Sequence, residues 1–353
     1  MIRQSSANAL FLETARLLEL NGSIVENRRT GKIVKQLDYP IILCLTDPTN
    51  NIISIRERKN NLFATIFETI WVLSGSRDIR PLEYFLPRAN QFSDDGITWR
   101  AGYGFRLFSN CGNQLETARK ILQSDITSRQ AVCSIWDPAL DPDPTSKDNP
   151  CSNLLYFSVK NGKLDLTLVV RSNDLIWGFS AINLFEFTTI QQIMAGMLNL
   201  PVGNYYHIVN NLHVYEHHFS LLNSLYFKTP NSFDILFSSY FLSNYYNYKP
   251  KSNLRLDNLT QYNWNTINNY YSEFVSIIYN SLSNNCPIPT SIYERDPKGY
   301  YSPFLTQFLT EIIIDYIRGT IDLDKLLDCH YGFRSWYEQV YLQMDKPYKI
   351  NLV

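Results

Sequence analysis

The spacing of apolar and polar positions predicts alternating helices and strands along the first two thirds of the chain. Residues 6–20 (SANALFLETARLLEL) carry apolar residues at helical spacing and end at an Asn-Gly pair that is typical of a helix stop. Residues 61–75 (NLFATIFETIWVLSG) repeat the helical spacing, and apolar stretches near residues 33–34 and 41–45 are typical of strands. This mixture predicts an α/β (α+β) fold with a sheet packed against helices.

Further along, the pattern predicts a hairpin followed by a buried helix. Residues 129–136 (RQAVCSIW) have the apolar character of a buried strand. Residues 154–170 form two strand patterns separated by an Asn-Gly pair, which suits a tight primed turn. A long, mostly apolar helix is predicted over residues 183–200, and residues 205–215 are again strand-like.

Beyond about residue 219 the composition shifts towards Asn, Tyr and Ser. Aromatic residues stay abundant there, and helical patterns around 268–283 and 304–317 favour a folded helical region over a disordered tail. We therefore expect a catalytic core over residues 1–225, a helical insertion or appendage over 226–340, and a C-terminal tail over 341–353.

Composition and charge narrow the function classes. The chain has 353 residues, 45% of them hydrophobic, and a net charge of −1, so neither a nucleic-acid surface nor a basic membrane-binding face is expected. Its apolar runs are too short to span a bilayer, and its start is typical of an amphipathic helix, which together predict a cytoplasmic protein. The six cysteines lack CxxC spacing, which argues against a zinc site or a disulfide framework.

Two ionisable side chains stand out for their placement. Glu68 lies among the apolar positions of the second helix, where a carboxylate is costly without a role or a partner. Cys151 lies just before the first hairpin strand, and Arg171 lies just after the second, so the guanidinium could supply the positive charge that a thiolate needs. A buried, inert thiol is the alternative for Cys151.

Several motifs occur together and in a recognisable order. The upstream segments are ENRRTGK, IFETIW and RAGYGFR, and the chain ends in DKPYKINLV. Between them lie a Pro-Cys pair at 150–151, Arg-Ser-x-Asp at 171–174, Gly178, Asn183 and His-x-Tyr at 213–215. In these motifs the chain resembles the thymidylate synthase superfamily, over roughly residues 10–218 and the last ten or so.

The resemblance implies a fold, a chemistry and an assembly. It implies the thymidylate synthase fold, with a mixed sheet, a sheet-to-sheet homodimer and, here, an extra C-terminal helical region. The Cys151 thiolate would add to C6 of a pyrimidine nucleoside monophosphate, and 5,10-methylenetetrahydrofolate would supply a one-carbon unit to C5, without a metal. Glu68 would be the acid/base group that works through water, and Tyr103 would lie near the proton lost from C5.

The resemblance also implies the binding residues. The phosphate would be held by Arg29, Arg171 and Ser172 of one subunit and Arg129 of the other, so the active sites would be shared within the dimer. The sugar hydroxyl would be bound by His213 and Tyr215, and the base by Asn183. The folate would be bound by Asp174, Gly178 and Val353. His207, His217, His218 and His330 have no counterpart and are expected to be ordinary polar residues.

Some departures from the family bear on base choice and on the product. An amide at Asn183 suits the N3–H and O4 edge of uracil, although the spacing from Gly178 is one residue longer than usual. Ser152 replaces the usual histidine, and the segment FLPRANQFSDDG lacks the tryptophans that commonly wall the folate side. A wall that excludes water favours hydride transfer and a methyl product, whereas its loss favours hydroxymethylation.

We expect conversion of dUMP to dTMP, with 5-hydroxymethylation of dUMP, dCMP or CMP as the alternative. A third hypothesis is a nucleotide-binding homologue without catalysis, against which the joint presence of Cys151, Glu68, Tyr103 and Asp174 argues.

Overall fold

A computed structural model describes residues 1–28, 31–53, 55–141, 143–228, 259–289 and 313–320. Its strands are β1 (Ile2–Gln4), β2 (Ser23–Glu26), β3 (Ile33–Gln36), β4 (Ile41–Leu45), β5 (Val132–Ser134), β6 (Ser152–Lys160), β7 (Lys163–Val170), β8 (Asn173–Asp174), β9 (Val202–Val209) and β10 (Leu212–Tyr215). Its α-helices are α1 (Ala7–Asn21), α2 (Leu62–Leu73), α3 (Arg80–Glu83), α4 (Tyr103–Phe108), α5 (Gln114–Ser124), α6 (Leu184–Met197), α7 (Phe219–Lys228) and α8 (Trp264–Ser283). A π-helix spans Leu175–Asn183, and short 3-10 helices lie at Arg56–Arg58, Ala89–Phe92, Glu216–His218 and Leu259–Gln261.

The first two predicted helices are confirmed with side-chain caps at their starts. The Ser6 hydroxyl accepts a hydrogen bond from the Ala9 amide (3.2 Å) at the start of α1. The Asn61 side chain accepts one from the Ala64 amide (3.2 Å) at the start of α2. Each cap satisfies an amide that the first helical turn leaves without a partner, which fixes where the helix begins.

The main sheet is mixed, as predicted. In the described part of the chain its six strands lie in the order β1-β4-β9-β7-β6-β5, with β1–β4 and β7–β9 parallel. The predicted hairpin is β6–β7, and its turn residues Asn161 and Gly162 have φ values of 51° and 70°, as a primed turn requires. A smaller sheet, β2-β3-β10-β8, lies beside it. α6 packs against β7 and β9 and is buried along its whole length.

The opposite face of the main sheet is apolar but only partly covered. Cross-strand neighbours there form a continuous surface, which we name the outer sheet face. Tyr156 is 39% exposed and Val132 is 40% exposed on it. The outer sheet face consists of Ile42, Val132, Leu154, Tyr156, Thr167, Val169, Tyr206 and Ile208.

Two predicted elements differ in length from those observed. The strand predicted over 129–136 is only β5, because the amides of Ile135 and Trp136 both turn to the Asn153 carbonyl (2.8 and 3.1 Å) and end the regular pairing. The helix predicted over 183–200 begins earlier, since the π-helix runs into α6 without a break.

The π-helix explains the longer spacing between Gly178 and Asn183. A π-helix adds a residue to a helical turn, so it can take in an extra residue without moving the helix that follows. Its carbonyls find partners outside the π-helix: the Thr65 hydroxyl donates to the Ala181 carbonyl (2.6 Å), and the Arg58 guanidinium donates to the Ile176 carbonyl. The extra residue is thus absorbed immediately before Asn183.

The predicted helix over 268–283 is confirmed by α8, which packs on the core. Trp264 is fully buried, and its amide donates to Glu116 (3.1 Å). The Asn268 amide group donates to the Leu73 carbonyl (3.1 Å) at the end of α2. Of the helix predicted over 304–317, only 313–317 lie within the described residues, and they are helical.

The remainder of the predicted 226–340 region and the tail over 341–353 lie outside the described residues, so the domain boundaries stay a prediction. Within the described ranges, no helix is both long and apolar enough to cross a membrane.

Candidate functional site

The hairpin brings Cys151 and Arg171 together, as predicted. Cys151 immediately precedes β6 and Arg171 immediately follows β7, and the Arg171 amide donates to the Cys151 carbonyl (2.9 Å). The Arg171 guanidinium donates to the carbonyls of Pro150 (2.8 Å) and Asn149 (2.9 Å), and its Nη2 lies 3.8 Å from the Cys151 Sγ. The backbone ahead of the cysteine therefore holds the guanidinium beside the thiol.

The electrostatics of the thiol differ from the sequence-based expectation. Burial raises the pKa of Cys151, and the lowering effect of Arg171 does not offset it. Asp148 and Asp174 add smaller raising effects. Arg171 does supply the expected positive charge, but removal from water disfavours the charged sulfur more than one guanidinium favours it, so the pKa of Cys151 stays raised in the free protein.

Glu68 lies on the face of α2 that packs against α6, and it is 9% exposed. Its Oε2 has no hydrogen-bond partner among the described residues. Burial raises the pKa of this carboxyl to about 8. A carboxyl with a pKa this close to neutrality can both give and take a proton, as a general acid/base group must.

Tyr103 is the first residue of α4, and its position depends on the glycine that follows. A Cβ on Gly104 would lie 2.2 Å from the Val72 carbonyl oxygen, so only glycine lets α4 approach α2 this closely. The Tyr103 hydroxyl accepts a hydrogen bond from the Ser152 amide (3.2 Å). The phenol is thus fixed against the residue next to Cys151.

Asn183 is buried at the junction of the π-helix and α6, and a hydrogen-bonded chain orients it. The Asn173 side chain donates from Nδ2 to Asn183 Oδ1 (2.9 Å), while Asn173 Oδ1 pairs with His207 Nε2 (3.1 Å). His207 Nδ1 pairs with the Tyr205 hydroxyl (2.8 Å). A Cβ on Gly178 would lie 2.5 Å from Asn173 Nδ2, so Gly178 makes room for this chain.

Sequence reasoning missed His207, which was expected to be an ordinary polar residue. It is fully buried, and burial lowers its pKa to about 3, so the ring is neutral at physiological pH. In the tautomer with hydrogen on Nε2, His207 donates to Asn173 Oδ1, and Asn173 keeps its amide N–H groups for Asn183. The alternation of His207 with apolar residues along β9 was the available signal for burial.

Asp174, His213 and Tyr215 lie side by side in the smaller sheet. His213 is paired with Asp174 between β10 and β8, and the His213 and Tyr215 rings make an edge contact at 5.2 Å. The Asp174 carboxylate accepts from the amides of Ile176 (3.0 Å) and Trp177 (3.2 Å) and so caps the π-helix. Its oxygens retain lone pairs for a further donor.

Of the other predicted phosphate and tail residues, Ser172 lies beside Arg171, whereas the rest lie away from Cys151 or outside the described residues. Ser172 is half-buried beside Arg171. Arg129 is exposed and precedes β5 near Phe157, and Phe157 lies six residue steps along β6, roughly 20 Å, from Cys151. Arg129 therefore does not reach the Cys151 of its own chain. Arg29 and Val353 lie outside the described residues.

Glu186, on the first turn of α6, is a second acid that sequence reasoning missed. It is 1% exposed, and neither carboxyl oxygen has a partner among the described residues. Burial, reinforced by Glu68, raises its pKa well above the usual value. The signal was present in the sequence, since Glu186 interrupts an apolar helix just as Glu68 does.

No cluster of three His, Cys, Asp or Glu side chains that could hold a metal ion occurs in the described part of the chain.

The sequence and the fold both match known proteins. The thymidylate synthase family model matches residues 11–262. The chain is 38% identical over 183 residues to a deoxyuridylate hydroxymethyltransferase of Delftia phage PhiW-14, an alignment that covers 49% of this chain and 51% of the relative. The enzyme of that name from Bacillus phage SP01 is 34% identical over 223 residues, covering 60% of this chain and 57% of the relative.

A third relative of that name, from Pseudomonas phage M6, is 32% identical over 179 residues, with 50% of this chain and 51% of the relative aligned. The chain thus spans about half the length of the curated relatives it matches. The crystal structure of thymidylate synthase from T4 phage has a TM-score of 0.52 and 23% identity, covering 63% of this chain and 82% of that one. With the family model covering most of the chain and the fold matching as well, the chain belongs to the thymidylate synthase family.

Proposed function

We propose that the protein transfers a one-carbon unit from 5,10-methylenetetrahydrofolate to C5 of dUMP while Cys151 is bonded to C6. This proposal rests on one observation: a candidate nucleophile, a cation and a phenol lie together at the open end of the β6–β7 hairpin. Arg171 Nη2 lies 3.8 Å from the Cys151 sulfur, and the Tyr103 hydroxyl accepts from the Ser152 amide at 3.2 Å. Binding alone has no need of a nucleophile in this position.

Each group has a role in the proposed chemistry. The Cys151 sulfur forms a bond to C6, and the ring electrons move to C5 and O4, which makes C5 nucleophilic. Loss of the C5 proton after carbon transfer is assigned to a water held near Tyr103, and proton exchange at O4 to Glu68 through water. Arg171 binds the nucleotide phosphate with Arg29 and Ser172.

The residues fit a folate as well. Asp174 offers carboxylate lone pairs to the N–H groups of a pterin while it caps the π-helix. Gly178 and the tail residue Val353 are the other two residues that we assign to the folate. Bound folate supplies the one-carbon unit, and these residues position it.

Uracil is the base that the Asn183 amide favours. Asn173 donates to Asn183 Oδ1, which leaves Asn183 Nδ2 with both hydrogens for O4 and Oδ1 with a second lone pair for N3–H. His213 and Tyr215, adjacent on β10, are assigned to the sugar hydroxyl. The deoxyribose and uracil of dUMP also agree with the names of the matched phage relatives.

For the last step we propose water, giving 5-hydroxymethyl-dUMP. The names of three relatives at 32–38% identity support this alternative. In the segment that lacks the family's tryptophans, the Arg88 guanidinium lies over the Trp177 ring at 5.8 Å. The exposed Arg88 offers a charged group in this segment, whereas aromatic bulk there would help to exclude water, which supports water addition. Thymidylate synthesis, expected first from the sequence, remains the second candidate because the family match is consistent with it.

The assembly we propose is a homodimer with shared sites, formed through the outer sheet face. That face is apolar and half-exposed across five strands, as an interface between two sheets requires. Arg129 lies too far from its own Cys151 and would complete the phosphate site of the other subunit. The described cysteines are free thiols, which suits the cytoplasmic location expected from the sequence.

The test is the product itself. The protein is incubated with dUMP, dCMP or CMP and 5,10-methylenetetrahydrofolate, and the nucleotide product is weighed by mass spectrometry while dihydrofolate is measured. We expect 5-hydroxymethyl-dUMP without dihydrofolate. A methylated product with dihydrofolate would establish thymidylate synthesis instead, and no product would overturn the proposal. Cys151→Ala abolishes turnover, whereas Cys111→Ala, at an exposed cysteine, serves as the matched control.

A further inference from the structure

Glu186 is a buried carboxyl for which the proposed chemistry has so far no role. It lies three residues after Asn183, which places the two side chains on the same side of the helix. Its side chain is 1% exposed, and both carboxyl oxygens lack a partner among the described residues. A buried polar group without partners in a folded protein calls for a ligand or a role.

Among the described residues, the groups that act on Glu186 carry no positive charge. The ionisable groups that interact with it are Glu68 on α2, Tyr103 on α4 and Tyr205 on β9. Two neighbouring carboxyls in a water-poor site cannot both be ionised without a cation. Glu68 keeps a small exposed area and Glu186 almost none, so Glu68 is the one that ionises and Glu186 the one that stays neutral.

We propose that Glu186 is a positioning residue that stays protonated and donates a hydrogen bond, through ordered water, to Glu68 during water addition. This inference rests on the proposed function. A neutral carboxylic acid is a good hydrogen-bond donor in an apolar site, and it can hold both the base and its water in place. The Oε2 of Glu68, which has no partner among the described residues, is the acceptor for this donor.

Water addition completes the reaction on the nucleotide adduct. Once tetrahydrofolate has left, C5 carries an exocyclic methylene and C6 carries the Cys151 sulfur. A water oxygen bonds to the methylene carbon, its proton passes to the Glu68 carboxylate, and the methylene electron pair moves into the ring to O4. The C5–C6 double bond then re-forms as the C6–S bond breaks, and the released thiolate takes a proton from Glu68. Glu186 keeps its own proton throughout.

Two substitutions separate this role from a structural one. In Glu186→Met an apolar side chain of similar length replaces the donor, and we expect turnover to fall by about 100-fold while the melting temperature rises. In Glu186→Gln an amide donor replaces the acid, and we expect turnover to recover to within about fivefold of the wild type. Thr189→Val removes another buried, unpartnered group of α6 and is the control with unchanged turnover.

Binding and folding are followed separately from turnover. Both Glu186 variants should still form a covalent adduct between Cys151 and 5-fluoro-dUMP in the presence of folate, seen by mass spectrometry. Wild-type turnover in the Met variant would overturn the inference, as would a Gln variant as slow as the Met variant. If the wild type itself made no product, the proposed function would fail instead.

An infrared measurement decides the protonation state even if the Met variant does not fold. At about pH 9, above the pKa of about 8 that burial gives Glu68, one protonated-carboxyl band should persist in the wild type and be absent from Glu186→Gln. Absence of this band from the wild type would contradict the assignment of the proton to Glu186.

Discussion

The guanidinium of Arg171 lies 3.8 Å from the thiol of Cys151, and burial nevertheless keeps the pKa of that thiol above its usual value. Burial thus favours the neutral thiol in the free protein. We propose that a bound nucleotide phosphate engages Arg171 beside the sulfur, and that ionisation of the sulfur and its addition to the ring belong to the ligand-bound state.

The first prediction concerns the pH dependence of Cys151 reactivity. Because the pKa of the thiol is raised, its thiolate fraction should keep rising beyond the pH at which an ordinary cysteine is fully ionised. Alkylation of the Cys151 peptide, followed by mass spectrometry, should thus increase with pH to above about 9. Arg171→Met should shift the alkylation curve to still higher pH, because it removes the guanidinium that lowers the pKa of Cys151. A shift of the Arg171→Met curve to lower pH would contradict a lowering effect of Arg171. A wild-type Cys151 curve that matches the curve of exposed Cys111 would contradict the raised pKa.

The second prediction concerns stability and the buried acid. The pKa of Glu68 is raised in the folded state to about 8. Between about pH 4.5 and 8, the folded protein therefore holds a proton on Glu68 that the unfolded chain has lost. Stability from this group is therefore fully present below about pH 4.5 and is lost as the pH rises through about 8, by about 5 kcal/mol in all.

Glu68→Gln cannot ionise and should remove this loss. Its melting temperature should exceed that of the wild type at about pH 8 by more than it does at about pH 5. Glu83→Gln, on α3, is the control for a general charge effect. The claim that Glu68 is buried without a partner would be contradicted if the melting temperature changed between the two pH values by the same amount in the wild type and in Glu68→Gln.

A third prediction follows from the chain of hydrogen bonds behind Asn183. Asn173→Ala removes the bonds to Asn183 and His207, so the Asn183 amide, which we propose binds the base, is no longer fixed. Each bond contributes about 1 kcal/mol, and we expect KM for dUMP to rise about tenfold and discrimination against dCMP to weaken. Asn223→Ala, at an exposed position on α7, should leave both quantities unchanged. Steady-state kinetics with the two nucleotides measure them.

The fourth prediction concerns the shared site. Arg129→Ala and Cys151→Ala should each be inactive, but mixed dimers should regain about a quarter of wild-type activity, because half of the dimers are hybrids with one intact site each. Tyr156→Lys on the outer sheet face should prevent both dimer formation and this recovery, whereas Leu20→Lys, at an exposed end of α1, should not. Light scattering gives the oligomeric state. An active monomer of Tyr156→Lys would contradict shared sites.

The sequence predicted the elements around the site well because their signals are local. The cap at Ser6, the Asn161-Gly162 turn and the helical spacing around Glu68 each depend on a few neighbouring residues. The hairpin then brings Cys151 and Arg171 together without any further information, because pairing of its two strands fixes where they end.

Other parts of the site depend on packing that no local pattern contains. The π-helix before Asn183 is stabilised by Thr65 and Arg58, which are more than a hundred residues away in the chain. The sign of the Cys151 pKa shift depends on how deeply the hairpin end is buried. His207 is linked to Asn183 through Asn173, which lies on β8 of the smaller sheet.

Covalent trapping tests most directly whether the Cys151 sulfur bonds to the nucleotide. The protein is incubated with 5-fluoro-dUMP and 5,10-methylenetetrahydrofolate, digested, and its peptides are weighed. Because fluorine at C5 cannot leave as a proton does, we expect a stable nucleotide–folate adduct on the Cys151 peptide. The adduct should be absent from Cys151→Ser. An intact protein mass without adduct, or an adduct on another cysteine, would contradict it.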